Sequence, residues 1–297
     1  MYKLIAVDLD GTLLNSYGNV SEEDKKAVKE AIENNCEVIL TSGRVTESVQ
    51  NIAKEIGADH YLVSGNGSTI YDFSNDNIIY DKYIEKKKIL QIIKLCEENS
   101  IYYNLYTDQT IIAKSLQYNV LFYHSENSRK PEGKKTSINI VEDIYGYIQN
   151  QKDPKVSKVT ICDDSNIIFP RILEKVKVIR NIDVLDVAHM SRKIIKSGTQ
   201  DVDITYYYSE VSSKNVNKWT ALEYLMQQLN IKQEEVIAIG DNVNDKTMIQ
   251  NAGLGVAMEN SAPYIKEIAD YVTTDNNSSG VAQVIKKYVI NWKRSLV

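Results

Sequence analysis

The chain has 297 residues, 43% of them hydrophobic and 25% charged, with a net charge of −5. That is ordinary globular composition with room for two domains, and the acidic balance argues against a dedicated nucleic-acid binder. No apolar run approaches the roughly 20 residues of a membrane helix, and an N-terminus that enters a strand at once predicts no signal peptide.

Leu4 to Val7 is an apolar run long enough for one buried strand and too short for a helix. Asp8, Asp10, Gly11 and Thr12 follow it. Alternation along an extended chain puts Asp8 and Asp10 on the same side of the backbone. In an open parallel sheet, ligands bind outside the carboxyl ends of the strands, where both would sit. Two close carboxylates repel, so a cation or a proton must compensate them. Mg2+ does this with one or two carboxylates, waters and substrate phosphate. An acidic turn after a strand is equally often plain surface, so the pair alone decides nothing.

Ser21 reads as the N-cap of a helix running to about Asn34, with Glu22, Glu23 and Asp24 in its first turn. Cys36 to Leu40 is a second buried strand, ending in Thr41, Ser42, Gly43 and Arg44. Thr46 to Ile56 is helical, with Val49, Ile52, Ala53 and Ile56 on one face. Tyr61 to Val63 is a third strand, which completes the β-α-β-α-β pattern of a parallel sheet. Ser68 to Tyr71 and Ile78 to Asp81 read as a hairpin. Glu85 to Glu98 is an amphipathic helix, and Tyr102 to Tyr106 and Ile111 to Ala113 are strands. Arg129 to Lys135, with Pro131 and Gly133, reads as a loop. Val156 to Cys162 reads as a strand, Ile167 to Val176 as a helix, and Val184 to Ala188 and Ile204 to Tyr208 as further strands. From Asn215 the first pattern returns: helix Val216 to Leu229, strand Val236 to Ile239, and Gly240 to Asp245 after it. A helix to about Ala252, a strand Gly255 to Met258 and helices near Pro263 to Ala269 and Val281 to Val289 close the chain.

The expected organisation is an α/β core of residues 1–83 and 211–297, interrupted by a separate α+β domain of residues 84–210. The insert carries a slight basic excess and the core the acidic one. Such a bias suits an anionic substrate, although chance accounts for it as well. Cys36, Cys96 and Cys162 are widely spaced in apolar segments. They read as reduced core cysteines of a cytoplasmic protein, with neither a disulfide framework nor a zinc pattern. His60, His124 and His189 do not cluster and read as structural or solvated. Arg129, Lys130, Lys134 and Lys135 form a basic loop whose default reading is solvation.

The strand ends of the core thus offer a nucleophile in Asp8, a second carboxylate in Asp10, a hydroxyl in Ser42 and acidic groups in Asp241 and Asp245. Lys218 starts a helix just before the last of these. This is the equipment of phosphoryl transfer without a Gly-rich P-loop. At this point the sequence resembles the haloacid dehalogenase superfamily of Mg2+-dependent phosphatases over nearly its whole length. Asp8-Leu9-Asp10-Gly11-Thr12 matches the first motif, Ser42 the second, Lys218 the third, and Gly240 to Asp245 the fourth. Thr41-Ser42-Gly43-Arg44 and Asn66-Gly67-Ser68-Thr69-Ile70-Tyr71-Asp72 look like the Cof-type branch. The resemblance implies a Rossmann-like core with a C2B cap (subclass IIB) between the second and third motifs.

It further implies the roles. Asp8 attacks phosphorus to give an aspartyl-phosphate, and Asp10 serves as acid and then base. Ser42, Lys218 and Asn244 hold phosphoryl oxygens, with Gly43 and Arg44 beside them. Mg2+ is held by Asp8, Asp10 through its backbone carbonyl, and Asp241, with Asp245 orienting its waters. Ser42 replaces the usual threonine and keeps the hydroxyl. Trp219 stands where many relatives have glycine and is expected to narrow the pocket. The expected substrate is a small phosphate ester enclosed by the cap, sugar phosphates ahead of pyridoxal or flavin-related phosphates. The expected protein is a monomer or weak homo-oligomer with no nucleic-acid or membrane partner. A phosphosugar mutase is the enzyme alternative, and a receiver-type signalling domain or a silent phosphate-binding protein the non-enzyme ones. Asp10 and the intact motifs disfavour both non-enzyme readings.

Overall fold

The computed structural model describes residues 1–130, 135–185, 191–197 and 200–291, with the backbone alone for 191–197, 200 and 201. The chain divides into two compact units. The first holds Met1–Arg44, Val49–Asp81 and the residues from Asn217 on; the second holds Val45–Ser48 and Lys82–Val216. The chain opens with β1 (Leu4–Asp8), α1 (Glu22–Glu33), β2 (Glu37–Thr41), α2 (Thr46–Ile56), β3 (Tyr61–Ser64) and the hairpin β4 (Thr69–Asp72) and β5 (Asn77–Asp81). Next come α3 (Lys86–Glu98), β6 (Tyr102–Tyr106), β7 (Thr110–Ala113), α4 (Tyr118–Asn127), β8 (Ser137–Ile140) and α5 (Ile144–Asn150). They are followed by β9 (Lys158–Asp163), α6 (Ile168–Lys177), β10 (Ile182–Val184), β11 (Ser191–Ser197) and β12 (Gln200–Ser213). The last stretch is α7 (Lys218–Leu229), β13 (Val236–Gly240), α8 (Lys246–Asn251), β14 (Leu254–Ala257), α9 (Pro263–Lys266), β15 (Tyr271–Val272) and α10 (Gly280–Ile285).

The first unit is built on an eight-stranded sheet in the order β15-β14-β13-β1-β2-β3-β4-β5. It is parallel from β15 to β3, and the β4–β5 hairpin adds antiparallel strands at one edge. All five residues of β1 are buried, because helices cover both faces of the sheet. Alternation sends Ile5 and Val7 into a core with Val28, Val49 and Val284. Leu4 and Ala6 go into another core with Leu222, Met226 and Met248. Ser21 caps α1, its hydroxyl oxygen accepting from the Asp24 N–H at 3.0 Å. Because β1 lies between β13 and β2 and all three run parallel, the residues that follow them gather at the carboxyl ends of adjacent central strands.

The second unit has a seven-stranded sheet in the order β10-β12-β9-β6-β7-β8, with β11 pairing β12. All its pairings are antiparallel except β7 with β8. α3, α5 and α6 bury Ile89, Ile92, Ile148, Phe169 and Ile172 against Leu105, Val159 and Ile161 of the sheet. A parallel-sheet core with an α+β insert is the fold class expected from the sequence.

Four described elements of the insert were not anticipated. α4 buries only Val120 and so lacks an apolar stripe. α5 has 7 residues, and β8 carries no buried residue. β11 and the polar ends of the 14-residue β12 are held by ladder hydrogen bonds that leave no hydropathy signal. Of the expected strand Val184 to Ala188, residues 186–188 lie outside the described residues, as do 131–134 of the expected loop and His189. No helix among the described residues is long and apolar enough to cross a membrane.

Candidate active site

Asp8 is the last residue of β1 and is 4% exposed. Asp241 follows β13, and Asp245 ends a single 3₁₀ turn after it. Lys218 opens α7 and is fully buried. Carboxylate oxygens of Asp8, Asp241 and Asp245 lie within 4.8 Å of one another. The Lys218 ammonium bridges two of these groups, donating to Asp8 Oδ1 and to Asp245 Oδ1, the latter at 2.6 Å. Asp245 Oδ2 accepts the backbone N–H groups of Asp241 and Asn242, both at 3.0 Å. Both Asp245 oxygens thus accept from protein donors, and this side chain holds the loop that presents Asp241. Thr12 Oγ1 donates to Asp241 Oδ1 at 3.0 Å. The loop after Asp10 passes so close that a Cβ on Gly11 (φ +85°) would lie 2.4 Å from Asp241 Oδ2. Only glycine combines that backbone conformation with that approach.

The electrostatics follow from three carboxylates around one ammonium. Burial pushes the Asp8 carboxyl up to about 7, Asp245 adds to the rise, and Lys218 opposes it. Burial, then Asp8 and Asp245, hold Asp241 well above the usual carboxylate range. For Lys218 burial works against the charge, but Asp245 and Asp8 outweigh it and keep the ammonium above its ordinary range. Raised carboxyls beside a lysine held in its charged form mean the cluster is short of positive charge. Hard carboxylate oxygens this close suit a divalent cation with oxygen preference. The group can hold a metal.

The remaining residues picked out by sequence lie at neighbouring strand ends. Ser42 follows β2 and is 1% exposed; its N–H donates to the Val63 carbonyl at 2.9 Å, and its Oγ accepts from the Arg44 N–H at 3.2 Å. Gly43 links the two. The Arg44 guanidinium grips Asp10 with both arms, Nε to Oδ2 at 2.8 Å and a terminal nitrogen to Oδ1 at 2.5 Å. The Asp10 side chain is 53% exposed, and its carboxylate lies outside the three-carboxylate cluster. Asn244 Nδ2 donates to Asn66 Oδ1 at 3.0 Å. Thr12 and Asn66 join the site without a role expected from the sequence. Thr12 stood within the first motif, and Asn66 stood between two glycines, which signals an unusual backbone.

One expectation is corrected. Trp219 does not narrow a pocket. It is 5% exposed in the core with Leu4, Val63, Ile70 and Leu222, and its indole N–H donates to Glu223 Oε1 at 2.9 Å. One residue along a helix turns the side chain by about 100°, so Lys218 and Trp219 cannot face the same way. Exposed His60 pairs with partly buried Glu37 at 2.6 Å, and His124 is exposed on α4.

Comparison with known proteins agrees with this geometry. The chain is 31% identical to the phosphatase YwpJ of Bacillus subtilis, over 96% of this chain and 99% of that protein. The solved structure of a haloacid dehalogenase-like hydrolase from B. subtilis superposes with a TM-score of 0.78 at 28% identity, covering 97% of this chain and 100% of the other. The fold is also that of the subclass IIB sugar phosphatase BT4131, with a TM-score of 0.72 at 19% identity over 97% and 99% of the two chains. The model of the haloacid dehalogenase-like hydrolases matches residues 5–285, and with it this chain belongs to that family, as a phosphatase of the Cof type.

Proposed function

We propose that the enzyme is a Mg2+-dependent phosphatase that hydrolyses small phosphorylated metabolites, sugar phosphates foremost, through an aspartyl-phosphate on Asp8. The observation that carries this reading is the buried cluster of Asp8, Asp241 and Asp245 around Lys218. An Asp8 oxygen attacks phosphorus in line, forming an acyl-phosphate bond as the ester P–O bond breaks. Asp10 gives its proton to the departing alkoxide. It then takes one from the water that attacks phosphorus, releasing inorganic phosphate and Asp8. Both Asp10 oxygens are engaged by Arg44, so the pair must loosen for the acid step. Ser42, Lys218 and Asn244, with Gly43 and Arg44 in the same loop, hold the phosphoryl oxygens as charge spreads.

Asp8, the Asp10 backbone carbonyl and Asp241 would hold Mg2+, with Asp245 fixing the loop. When bound, the ion offsets repulsion between Asp8 and the phosphate dianion. Buried cysteines outside any disulfide, Cys36, Cys96 and Cys162, support a cytoplasmic setting.

The test is a screen of phosphate metabolites with purified protein and Mg2+. The expected result is highest kcat/KM on a sugar phosphate. Failure to hydrolyse any phosphate ester above background refutes the reading, and preference for another ester class refutes its finer part.

A further inference from the structure

The segment Gly65-Asn66-Gly67 was singled out by sequence and is not used by the mechanism above. All three residues have positive φ: 56°, 58° and 99°. Left-handed backbone is costly for side-chain-bearing residues, asparagine among the least so, and such outliers gather at functional sites. The segment touches three parts of the site at once. The Asn66 N–H donates to the Ser42 carbonyl at 2.9 Å, and the Gly65 N–H to the Arg44 carbonyl at 3.1 Å. Gly67 lies against the start of α7, where a Cβ would fall 2.1 Å from the Asn217 carbonyl oxygen and 2.9 Å from the Lys218 nitrogen. The Asn66 side chain accepts from the Asn244 amide at 3.0 Å. In this arrangement the Asn244 amide turns one N–H to Asn66.

We infer that Asn66 is a positioning residue that orients the Asn244 amide toward the phosphoryl group and locks the Ser42 loop to the Lys218 helix. The inference rests on the role given to Asn244 under the proposed function. Asn66 spans segments distant in sequence, and only its acceptor oxygen is needed to hold Asn244 with its second N–H available to a phosphoryl oxygen.

The experiment is a double-mutant cycle of Asn66→Gly and Asn244→Ala, read as kcat/KM on a phosphate ester, inhibition by orthovanadate and thermal unfolding. Glycine suits the left-handed backbone, so Asn66→Gly removes the amide and not the turn. It is expected to lower kcat/KM and weaken vanadate about 10- to 100-fold, the scale of outer-shell partners. In the Asn244→Ala background it is expected to add less than about threefold, because the group it orients is gone. An equal loss in both backgrounds, or an unfolding temperature that falls while vanadate inhibition stays unchanged, overturns the inference. Asn66→Asp keeps an acceptor and is expected to stay within about tenfold of the native kcat. A loss as large as that of Asn244→Ala overturns the inference even if Asn66→Gly fails to fold. Full activity of Asn244→Ala alone would instead locate the failure in the proposed role of Asn244.

Discussion

Asp8→Asn separates chemistry from stability. The amide matches the carboxylate in shape but does not attack phosphorus, so turnover is expected to vanish. In metal-free protein the same change is expected to stabilise the fold. Burial first, then Asp245, raises the Asp8 carboxyl from 3.8 to about 7. A carboxyl raised in the folded state contributes stability that is fully present below its unfolded value. That contribution is lost as pH rises through the folded value. The rise from 3.8 to about 7, at about 1.4 kcal/mol per pH unit, amounts to roughly 4 kcal/mol lost by about pH 8. The value of about 7 already includes the opposing pull of Lys218, and the amide oxygen can still accept from that ammonium, so the amide escapes most of the loss. The net expectation is a gain of up to about 4 kcal/mol near pH 8 in chelator, shrinking toward zero near pH 4, where the folded-state Asp8 carboxyl is already neutral. Urea unfolding of both proteins in EDTA across this range measures it. A destabilisation of more than about 1 kcal/mol near pH 8 would refute the electrostatic reasoning, and retained turnover would refute the role of Asp8.

Asp10→Asn is expected to lower kcat at least ~100-fold, the scale of general acid catalysis; a mild loss would assign the proton to another group. EDTA should stop hydrolysis and Mg2+ restore it, and Asp241→Ala should raise the Mg2+ concentration required; full activity in chelator contradicts the scheme. Gly11→Ala forces a methyl against Asp241 at a φ of +85°. A loss of about 1–3 kcal/mol in urea unfolding and a raised Mg2+ requirement are expected, and unchanged values for both would mean the loop adapts freely.

Local signals carried much of this protein. Apolar runs bounded by turns marked β1, β2, β3 and β13, and Ser21 ahead of three acidic residues marked α1, because strand burial and helix capping are decided within a few residues. The order of acidic, hydroxyl and lysine residues was equally legible, since each follows a strand or opens a helix. Tertiary structure decided how these groups divide the work. Asp8 and Asp10 look equivalent in sequence, yet the sheet buries the first beside Lys218 while Arg44 draws the second to a partly exposed pair. Asp245 reads in sequence as one more acidic group, and the structure shows its oxygens also accepting from Lys218 and from the N–H groups of its own loop. Trp219 looked like a pocket wall until the rotation of α7 set it in the core. Thr12 with Asp241 and Asn66 with Asn244 are 229 and 178 residues apart in sequence. Hydrogen bonds over such separations leave no periodicity in sequence, because only the packing of the strands and helices between them brings the partners together.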